Sequence, residues 1–338
     1  MPPTTLEAPF KPQDFHSGNI VRWCPGCGDY TILAAVQKVL SERGKKPHEY
    51  TFVSGIGCSS RFPLYMSTYG FHSIHGRALA VATGVKASNP SQEVWVITGD
   101  GDCLSIGGNH FMHAMRRNQD LKVLLFNNEI YGLTKGQFSP TSRMGFVNKS
   151  APYGTIDTPI NPIRMALAAG ATFVARTADN DMNHMNEVLK RAAAHKGMAF
   201  VEILQNCVIF NDKVFEEYYG VKTRKDTLMY LHDGEPLAYG KTVEKGLVMD
   251  GLRLNHAPIE GNAARIVKHD EKEPTGNLAM MLADLQHPDF AVPLGVFRAV
   301  EKAPYHEMMH AQIDSARKAN GEPDLAKLVR GPKTWTVS

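Results

Sequence analysis

The segment Val94–Asn128 constrains the fold more than any other, because two uninterrupted apolar runs flank a helical pattern. The runs are Val94–Thr98 and Val123–Phe126, and the helix is predicted between them at 104–118. Continuous apolar runs are typical of strands that are buried on both faces of a parallel sheet. The segment therefore predicts a strand, a Gly-Asp-Gly turn, a helix and a second strand.

The same alternation of strand and helix continues on both sides of this unit. The additional strands are predicted at 51–53, 172–176 and 199–204, and the additional helices after Cys27 and at 76–88, 162–169 and 180–195. Alternating units of this kind predict an α/β fold with a doubly wound parallel sheet. Ligands of such sheets bind outside the carboxyl ends of the strands.

Composition shifts along the chain set the predicted domain boundaries. A chain of 338 residues can form a large domain with extensions. We expect an N-terminal arm at 1–20, an α/β domain at 21–225 and a C-terminal extension at 226–338. Residues 129–160 are rich in Gly, Ser, Thr and Pro, and a loop of this length is more often functional than idle.

Charge and hydropathy argue against several classes of partner. The sequence has 37 basic and 34 acidic residues, a balance that does not favour nucleic acid. The N-terminal segment lacks the apolar core of a signal peptide. The longest mostly apolar stretch, Met165–Ala175, is far too short to cross a bilayer. We therefore expect a cytoplasmic protein without membrane contact.

Two oxygen donors are predicted at neighbouring strand ends. Asp100 lies in the Gly-Asp-Gly turn after the first strand, and Asn128 follows the second. A carboxylate inside a phosphate-binding turn would repel a phosphate unless a cation lies between them. Mg²⁺ prefers octahedral oxygen ligands, which Asp100, Asn128 and the carbonyl of Ile130 could supply. The alternative is that two unrelated turns end these strands.

Four of the five cysteines have the spacing of a metal or cluster site. Cys24 and Cys27 form a C-x₂-C pair on one predicted turn. Cys58 lies in a second glycine-rich turn, and Cys207 follows the last predicted strand. Four thiolates could bind zinc or a [4Fe–4S] cluster, and the single C-x₂-C pair favours the cluster. Small buried residues are the alternative for Cys58 and Cys207, and core packing is expected for Cys103.

Taken in order, these motifs resemble the β subunits of the 2-oxoacid:ferredoxin oxidoreductases. The matching motifs are WCPGCG, GIGCSSR, HGRA, GDGD-x₄-GGNH, NN-x₂-YGLTKGQ-x-SPT and the late Cys207, and they cover roughly residues 18–225. The form YGLTKGQFSPTS, which contains Lys135, is similar to the 2-oxoglutarate branch of that family.

The resemblance implies three cofactors, which are thiamine diphosphate, Mg²⁺ and one [4Fe–4S] cluster. The implied Mg²⁺ ligands are Asp100, Asn128 and Ile130, and the implied cluster ligands are Cys24, Cys27, Cys58 and Cys207. The residues expected to line the cofactor are Ile56, Gly57, Cys58, Ser59, His75, Gly99, Asp100, Gly101, Asp102, Asn128, Ile130, Gly132 and Leu133.

Two side chains are predicted to act on the reactants. Arg61 follows the Cys58 turn, and its guanidinium group suits a substrate carboxylate. His75 could donate to the diphosphate or the aminopyrimidine at a helix start. A surface arginine and a structural histidine are the alternatives.

The implied reaction is the reversible, coenzyme A-dependent oxidative decarboxylation of 2-oxoglutarate to succinyl-CoA and CO₂, with electrons passed through the cluster to ferredoxin. Pyruvate or a branched 2-oxoacid is the alternative substrate. Thiamine activation also needs a glutamate on a pyrimidine-binding domain, and the sequence has no evident second domain of that kind. We therefore expect an α subunit to supply it and the single chain to have no turnover.

A competing motif occurs late in the sequence, where residues 306–310 match H-E-x-x-H on a helix predicted at 303–319. His306 and His310 would share one helix face and could bind zinc, with Glu307 as the general base of a metalloprotease. Such a match arises by chance in a histidine-rich chain, so this function is the distant alternative.

Overall fold

The computed structural model describes residues 10–335, and residues 1–9 of the expected N-terminal arm lie outside the described residues. The strands are β1 Tyr50–Ser54, β2 Tyr69–His72, β3 Glu93–Gly99, β4 Leu121–Asn127, β5 Phe173–Ala178, β6 Ala199–Leu204, β7 Leu228–Leu231, β8 Ala238–Tyr239, β9 Lys245–Asp250, β10 Arg253–Pro258 and β11 Val292–Ala299. The α-helices are α1 Asp29–Arg43, α2 Ala78–Ser88, α3 Asp100–Leu104, α4 Gly108–Arg116, α5 Pro162–Ala168, α6 Met182–Ala194, α7 Glu216–Tyr219, α8 Arg224–Thr227, α9 Asn277–Ala283, α10 Tyr305–Asn320 and α11 Leu325–Arg330.

Eight of these strands form one mostly parallel sheet in the order β2-β1-β3-β4-β6-β5-β11-β7. The first six are parallel, whereas β11 pairs antiparallel with β5 and parallel with β7. Strands β8, β9 and β10 form a separate antiparallel sheet. The predicted α/β class with a doubly wound parallel sheet is confirmed.

Alternate residues of the central strands face two different cores, which explains their continuous apolar runs. In β3, Val94 and Val96 join the core beneath α2, α4, α5 and α9, whereas Trp95 and Ile97 join the core beneath α1 and α6. Helices therefore cover both faces of the sheet. No helix within residues 10–335 combines the length and the apolar content needed to span a bilayer.

Two predicted elements differ from the structure. The single helix expected at 104–118 is divided into α3 and α4, and the expected Gly-Asp-Gly turn is the first turn of α3. A Cβ on Gly107 would lie 2.6 Å from the backbone oxygens of Asp102 and Cys103, so the chain turns there without room for a side chain. Residues after 225 also add β7 and β11 to the main sheet. The domain division at residue 225 stays a prediction.

A buried ion cluster joins α2 to the start of β4. Nζ of Lys86 and Nζ of Lys122 each lie 2.9 Å from the carboxylate of Asp120, and both lysine side chains are almost fully buried. Burial alone would raise the pKa of Asp120, but the two ammonium groups outweigh it and hold that pKa below its usual range. The carboxylate therefore stabilises the folded chain above a pH of about 4, and this contribution fades as the pH falls below that value.

We expect Asp120→Asn to destabilise the protein by about 3–5 kcal/mol at pH 7, because it leaves two buried ammonium groups without a counter-charge. Urea unfolding at pH 7 and at pH 3.5 measures the difference, which should shrink at the lower pH. Asp314→Asn, at an exposed position of α10, is the control. Equal losses for the two variants, or a loss that grows with acidity, would contradict this account.

Candidate active site

The carboxyl ends of three neighbouring strands are level, and the site lies at this edge. Gly99 of β3 is opposite Phe126 of β4, and Asn127 of β4 is opposite Leu204 of β6. Asp100, Asn128 and Gln205 follow these strand ends directly. The parallel register therefore brings a carboxylate and two amide side chains to one edge of the sheet.

Asp100 is buried, and two hydroxyl groups hold its carboxylate. The hydroxyls of Ser139 and Thr141 each donate to Asp100 Oδ2 at 2.5 Å. Burial raises the pKa of Asp100 to about 6, although the two hydroxyl donors act in the opposite direction. Among residues 10–335 no cationic side chain balances this buried carboxylate, and a divalent cation would supply the counter-charge. The donor set at this strand end fits Mg²⁺.

Asn128 is oriented by partners on both atoms of its amide. Its Nδ2 donates to Gln205 Oε1 at 2.7 Å, and its Oδ1 accepts from the backbone N–H of Ile130 at 3.3 Å. The same short segment therefore carries the amide oxygen and the Ile130 carbonyl that were predicted as metal ligands.

The carboxylate of Asp102 is fully used within the protein. Its Oδ1 accepts from the backbone N–H groups of Ile56 at 3.1 Å and Gly76 at 2.7 Å, and its Oδ2 accepts from the Thr98 hydroxyl at 2.8 Å. His75 Nδ1 lies 2.7 Å from Asp102 Oδ1, without the alignment of a hydrogen bond. Asp102 therefore holds the segments that contain Ile56 and Gly76 against the end of β3.

Gly101 has no space for a side chain. A Cβ at this position would lie 2.2 Å from Cε1 of Tyr131, whose hydroxyl donates to the Gly101 carbonyl at 2.9 Å. The ring of Tyr131 consequently packs directly on the backbone of α3. This contact fixes the distance between the Asp100 turn and the loop that carries Gly132.

All of the residues predicted to line the cofactor lie in the wall of one cavity of about 80 Å³ at the strand ends. The wall also contains residues that sequence reasoning missed, namely Asp29, Phe126, Tyr131 and Thr134. Asp29 Oδ2 is buried and has no hydrogen-bond partner among the described residues. Burial, followed by the charge of Asp179, raises the pKa of Asp29 to about 7.

Three separate segments bring the four predicted cluster cysteines into one region. The Cys27 N–H donates to the Cys24 carbonyl at 3.0 Å, which closes the C-x₂-C turn. Trp23 Nε1 donates to the Cys58 carbonyl at 2.6 Å, so this turn is tied to the second cysteine segment. Burial, followed by the neighbouring Asp29, Cys207 and Cys24, raises the pKa of Cys58 to about 12.

Gly132 lies in the cavity wall, as Cys58 does, and is close to two of these thiols. A Cβ on Gly132 would lie 3.4 Å from Sγ of Cys207 and 3.7 Å from Sγ of Cys58. Within the described residues, no three His, Cys, Asp or Glu side chains are close enough to share a single metal ion. In a [4Fe–4S] cluster each cysteine binds a different iron, so four cysteines brought together from three segments fit that group better than a single ion. Cys103 is buried in the core, as expected.

The remaining predicted residues lie elsewhere. Arg61 is half-buried in the 3₁₀ helix Ser59–Tyr65 and lies outside the cavity wall. In the H-E-x-x-H segment, His310 Nε2 lies 3.0 Å from the Ala87 carbonyl oxygen, and Glu307 pairs with Lys196 at 2.9 Å. These partners do not favour the zinc metalloprotease alternative.

The model of the thiamine pyrophosphate enzyme C-terminal TPP-binding domain matches residues 55–203, which include most of the cavity wall. The 2-oxoglutarate oxidoreductase subunit KorB of Mycobacterium tuberculosis is 48% identical over 338 residues, which are 98% of this chain and 90% of that protein. The 2-oxoacid:ferredoxin oxidoreductase subunit beta of Saccharolobus solfataricus is 46% identical, over 68% of this chain and 73% of that protein.

The chain belongs to the family of 2-oxoacid:ferredoxin oxidoreductase β subunits. A solved 2-oxoglutarate:ferredoxin oxidoreductase from Magnetococcus marinus, with 2-oxoglutarate, coenzyme A and succinyl-CoA bound, is similar in fold, with a TM-score of 0.76 and 32% identity. The match covers 97% of this chain and 98% of that one. The family predicted from the motifs is confirmed, and this β subunit carries a thiamine diphosphate-binding domain.

We expect Gly101→Ala to weaken thiamine diphosphate binding, because the new methyl group must displace the Tyr131 ring. Overpacking of this kind costs about 1–3 kcal/mol, so affinity in the presence of Mg²⁺ should fall about tenfold or more. Calorimetric titration of the assembled oxidoreductase with thiamine diphosphate measures this affinity. Gly108→Ala is the control, since a Cβ there meets no atom within 4 Å. Equal affinity in both variants would show that the Tyr131 contact does not shape the site.

Proposed function

We propose that this β subunit, together with an α subunit, catalyses the coenzyme A-dependent oxidative decarboxylation of 2-oxoglutarate. Succinyl-CoA and CO₂ are the products, and the electron pair released passes through a [4Fe–4S] cluster to ferredoxin. The KorB relative and the Magnetococcus marinus enzyme, which was solved with 2-oxoglutarate and coenzyme A, support this substrate. Pyruvate and branched 2-oxoacids are therefore less favoured.

The cavity at the strand ends and the four predicted cluster cysteines are neighbours, and this observation carries the proposal. Cys58 and Gly132 line the cavity, and the sulfur atoms of Cys58 and Cys207 lie against Gly132. A larger residue at 132 would fill the gap between the two regions. A cofactor bound in this cavity would thus lie close to the cysteines proposed as cluster ligands.

The metal and the cluster are assigned to separate sets of residues. We assign Mg²⁺ to Asp100, Asn128 and the Ile130 carbonyl, and the cluster to Cys24, Cys27, Cys58 and Cys207. The buried carboxylate of Asp100 supports the first assignment, and the three converging cysteine segments support the second. Because a cluster and reduced thiols need a reducing compartment, we place the enzyme in the cytoplasm.

The protein positions the reactants around the cofactor. When bound, thiamine diphosphate supplies the carbon nucleophile and accepts the electrons left by decarboxylation. Asp100 and Asn128 would hold the cation that binds the diphosphate. The ring of His75 packs edge-on against Tyr131 with 6.1 Å between centroids, and His75 would contact the cofactor from the cavity wall. Arg61 binds a substrate carboxylate where the α subunit completes the pocket.

The α subunit supplies the pyrimidine-binding domain and the glutamate that activates thiamine. Neither subunit should turn over alone, whereas the α–β complex should reduce ferredoxin with 2-oxoglutarate and coenzyme A. We expect a kcat/KM for 2-oxoglutarate at least about tenfold above that for pyruvate, measured anaerobically by ferredoxin reduction. The complex carrying Asp100→Asn controls for background reduction. Turnover by the purified β subunit, or a preference for pyruvate, would contradict the proposal.

The assignment of the cluster ligands predicts which cysteine variants of the protein retain iron. Cys58→Ser and Cys207→Ser should each lose most of the about four irons expected per β subunit, because serine oxygen is a poor ligand for iron–sulfur centres. Cys103→Ala, which changes the fifth, core-packed cysteine, should retain them. Iron and acid-labile sulfide analysis, with EPR of the reduced complex, measures the result. Full iron in both serine variants would remove these cysteines from the ligand set.

A further inference from the structure

The side chain of Gln205 lies between the two metal centres assigned above. Gln205 follows β6 directly, is almost fully buried, and its backbone N–H donates to the Asn127 carbonyl at 2.8 Å. Its Oε1 accepts from Asn128 Nδ2 at 2.7 Å, and its Nε2 donates to Cys27 Sγ at 3.2 Å. One amide group therefore contacts a proposed Mg²⁺ ligand and a proposed cluster ligand.

A backbone carbonyl fixes which way this amide faces. Gln205 Nε2 lies 2.7 Å from the carbonyl oxygen of Asn206, and only a donor can occupy that position. The oxygen of the Gln205 amide must then face Asn128, which has to present its own Nδ2. As a consequence, Asn128 Oδ1 is the atom that accepts from the backbone N–H of Ile130, the residue whose carbonyl is also assigned to Mg²⁺.

The surroundings of Gln205 hold this arrangement in place. A Cβ on Gly28 would lie 3.0 Å from Cγ of Gln205 and 1.8 Å from Oδ2 of Asp179, so the C-x₂-C segment packs closely on this side chain. Asp179 Oδ2 also accepts from the Asn206 N–H at 2.8 Å, which fixes the neighbouring backbone. Both N–H groups of the Gln205 amide are consequently used, one by Asn206 and one by Cys27.

We propose that Gln205 is a positioning residue that contacts one ligand of the assigned Mg²⁺ and one ligand of the assigned iron–sulfur cluster. Its carbonyl orients Asn128 so that the amide oxygen binds Mg²⁺. Its N–H group donates to the sulfur of Cys27 and raises the reduction potential of the cluster, since hydrogen bonds to ligand sulfurs stabilise the reduced state. This inference rests on the proposed function for both ligand assignments.

Two substitutions separate the two roles in the assembled α–β complex. Gln205→Met keeps the approximate length of the side chain but removes both the acceptor and the donor. Gln205→Glu keeps an oxygen for Asn128 Nδ2 and removes the amide N–H group. We expect a more negative midpoint potential in both variants, measured by potentiometric titration with EPR. We expect the affinity for Mg²⁺ to fall about tenfold or more in Gln205→Met and to stay unchanged in Gln205→Glu. Calorimetry with thiamine diphosphate present measures this affinity.

A matched control is available at Gln119, which is fully buried before β4 and whose amide has no hydrogen-bond partner among the described residues. Gln119→Met should leave the midpoint potential and the Mg²⁺ affinity unchanged. If the Gln205→Met variant does not retain the cluster, the midpoint potential of Gln205→Glu is compared with that of the wild type instead. A fall in thermal stability with an unchanged potential and unchanged Mg²⁺ affinity would reduce Gln205 to a packing role and overturn the inference.

The wild-type complex distinguishes this inference from the proposed function. Absence of iron and sulfide from the wild type would refute the cluster assignment itself. A wild-type cluster with a normal EPR signal, combined with Gln205 variants identical to wild type in both measurements, would refute only the role of Gln205.

Discussion

The arrangement of the site depends on one buried carboxylate. Asp100 lies at the carboxyl end of a central strand, where the only partners of its side chain among the described side chains are the hydroxyls of Ser139 and Thr141. Neither hydroxyl carries charge, so burial favours the neutral acid unless a cation binds. The level ends of β3, β4 and β6 then decide what else surrounds that cation. The parallel register therefore brings together the residues to which we assign the metal.

The same strand ends place the cysteines proposed as cluster ligands next to the cavity. Gly132 lies in the cavity wall and leaves the sulfurs of Cys58 and Cys207 close to the cavity. Gln205 contacts both Asn128 and Cys27, and Cys27 lies 178 positions from Gln205 in the sequence. Within the described chain, the residues proposed to bind the diphosphate and those proposed to bind the cluster are thus neighbours at one edge of the sheet.

Much of this site could be predicted from sequence because its residues are tied to periodic elements. Buried strands have continuous apolar runs, so their ends are visible, and Asp100 and Asn128 follow those ends directly. Ser139, Thr141 and Gln205 were missed for a physical reason. The first two lie in an irregular loop without periodicity, and the role of Gln205 depends on a contact with a distant segment. β7 and β11 were missed since their runs are short and lie among mixed segments.

The central claim is that Asp100 and Asn128 hold a divalent cation beside a cluster bound by four cysteines. Anomalous diffraction from crystals of the Mn²⁺-substituted α–β complex, recorded at the manganese and iron edges, tests it directly. The account predicts manganese density between Asp100, Asn128 and the Ile130 carbonyl, and iron density among Cys24, Cys27, Cys58 and Cys207. Manganese bound elsewhere, or iron confined to another polypeptide, would contradict it.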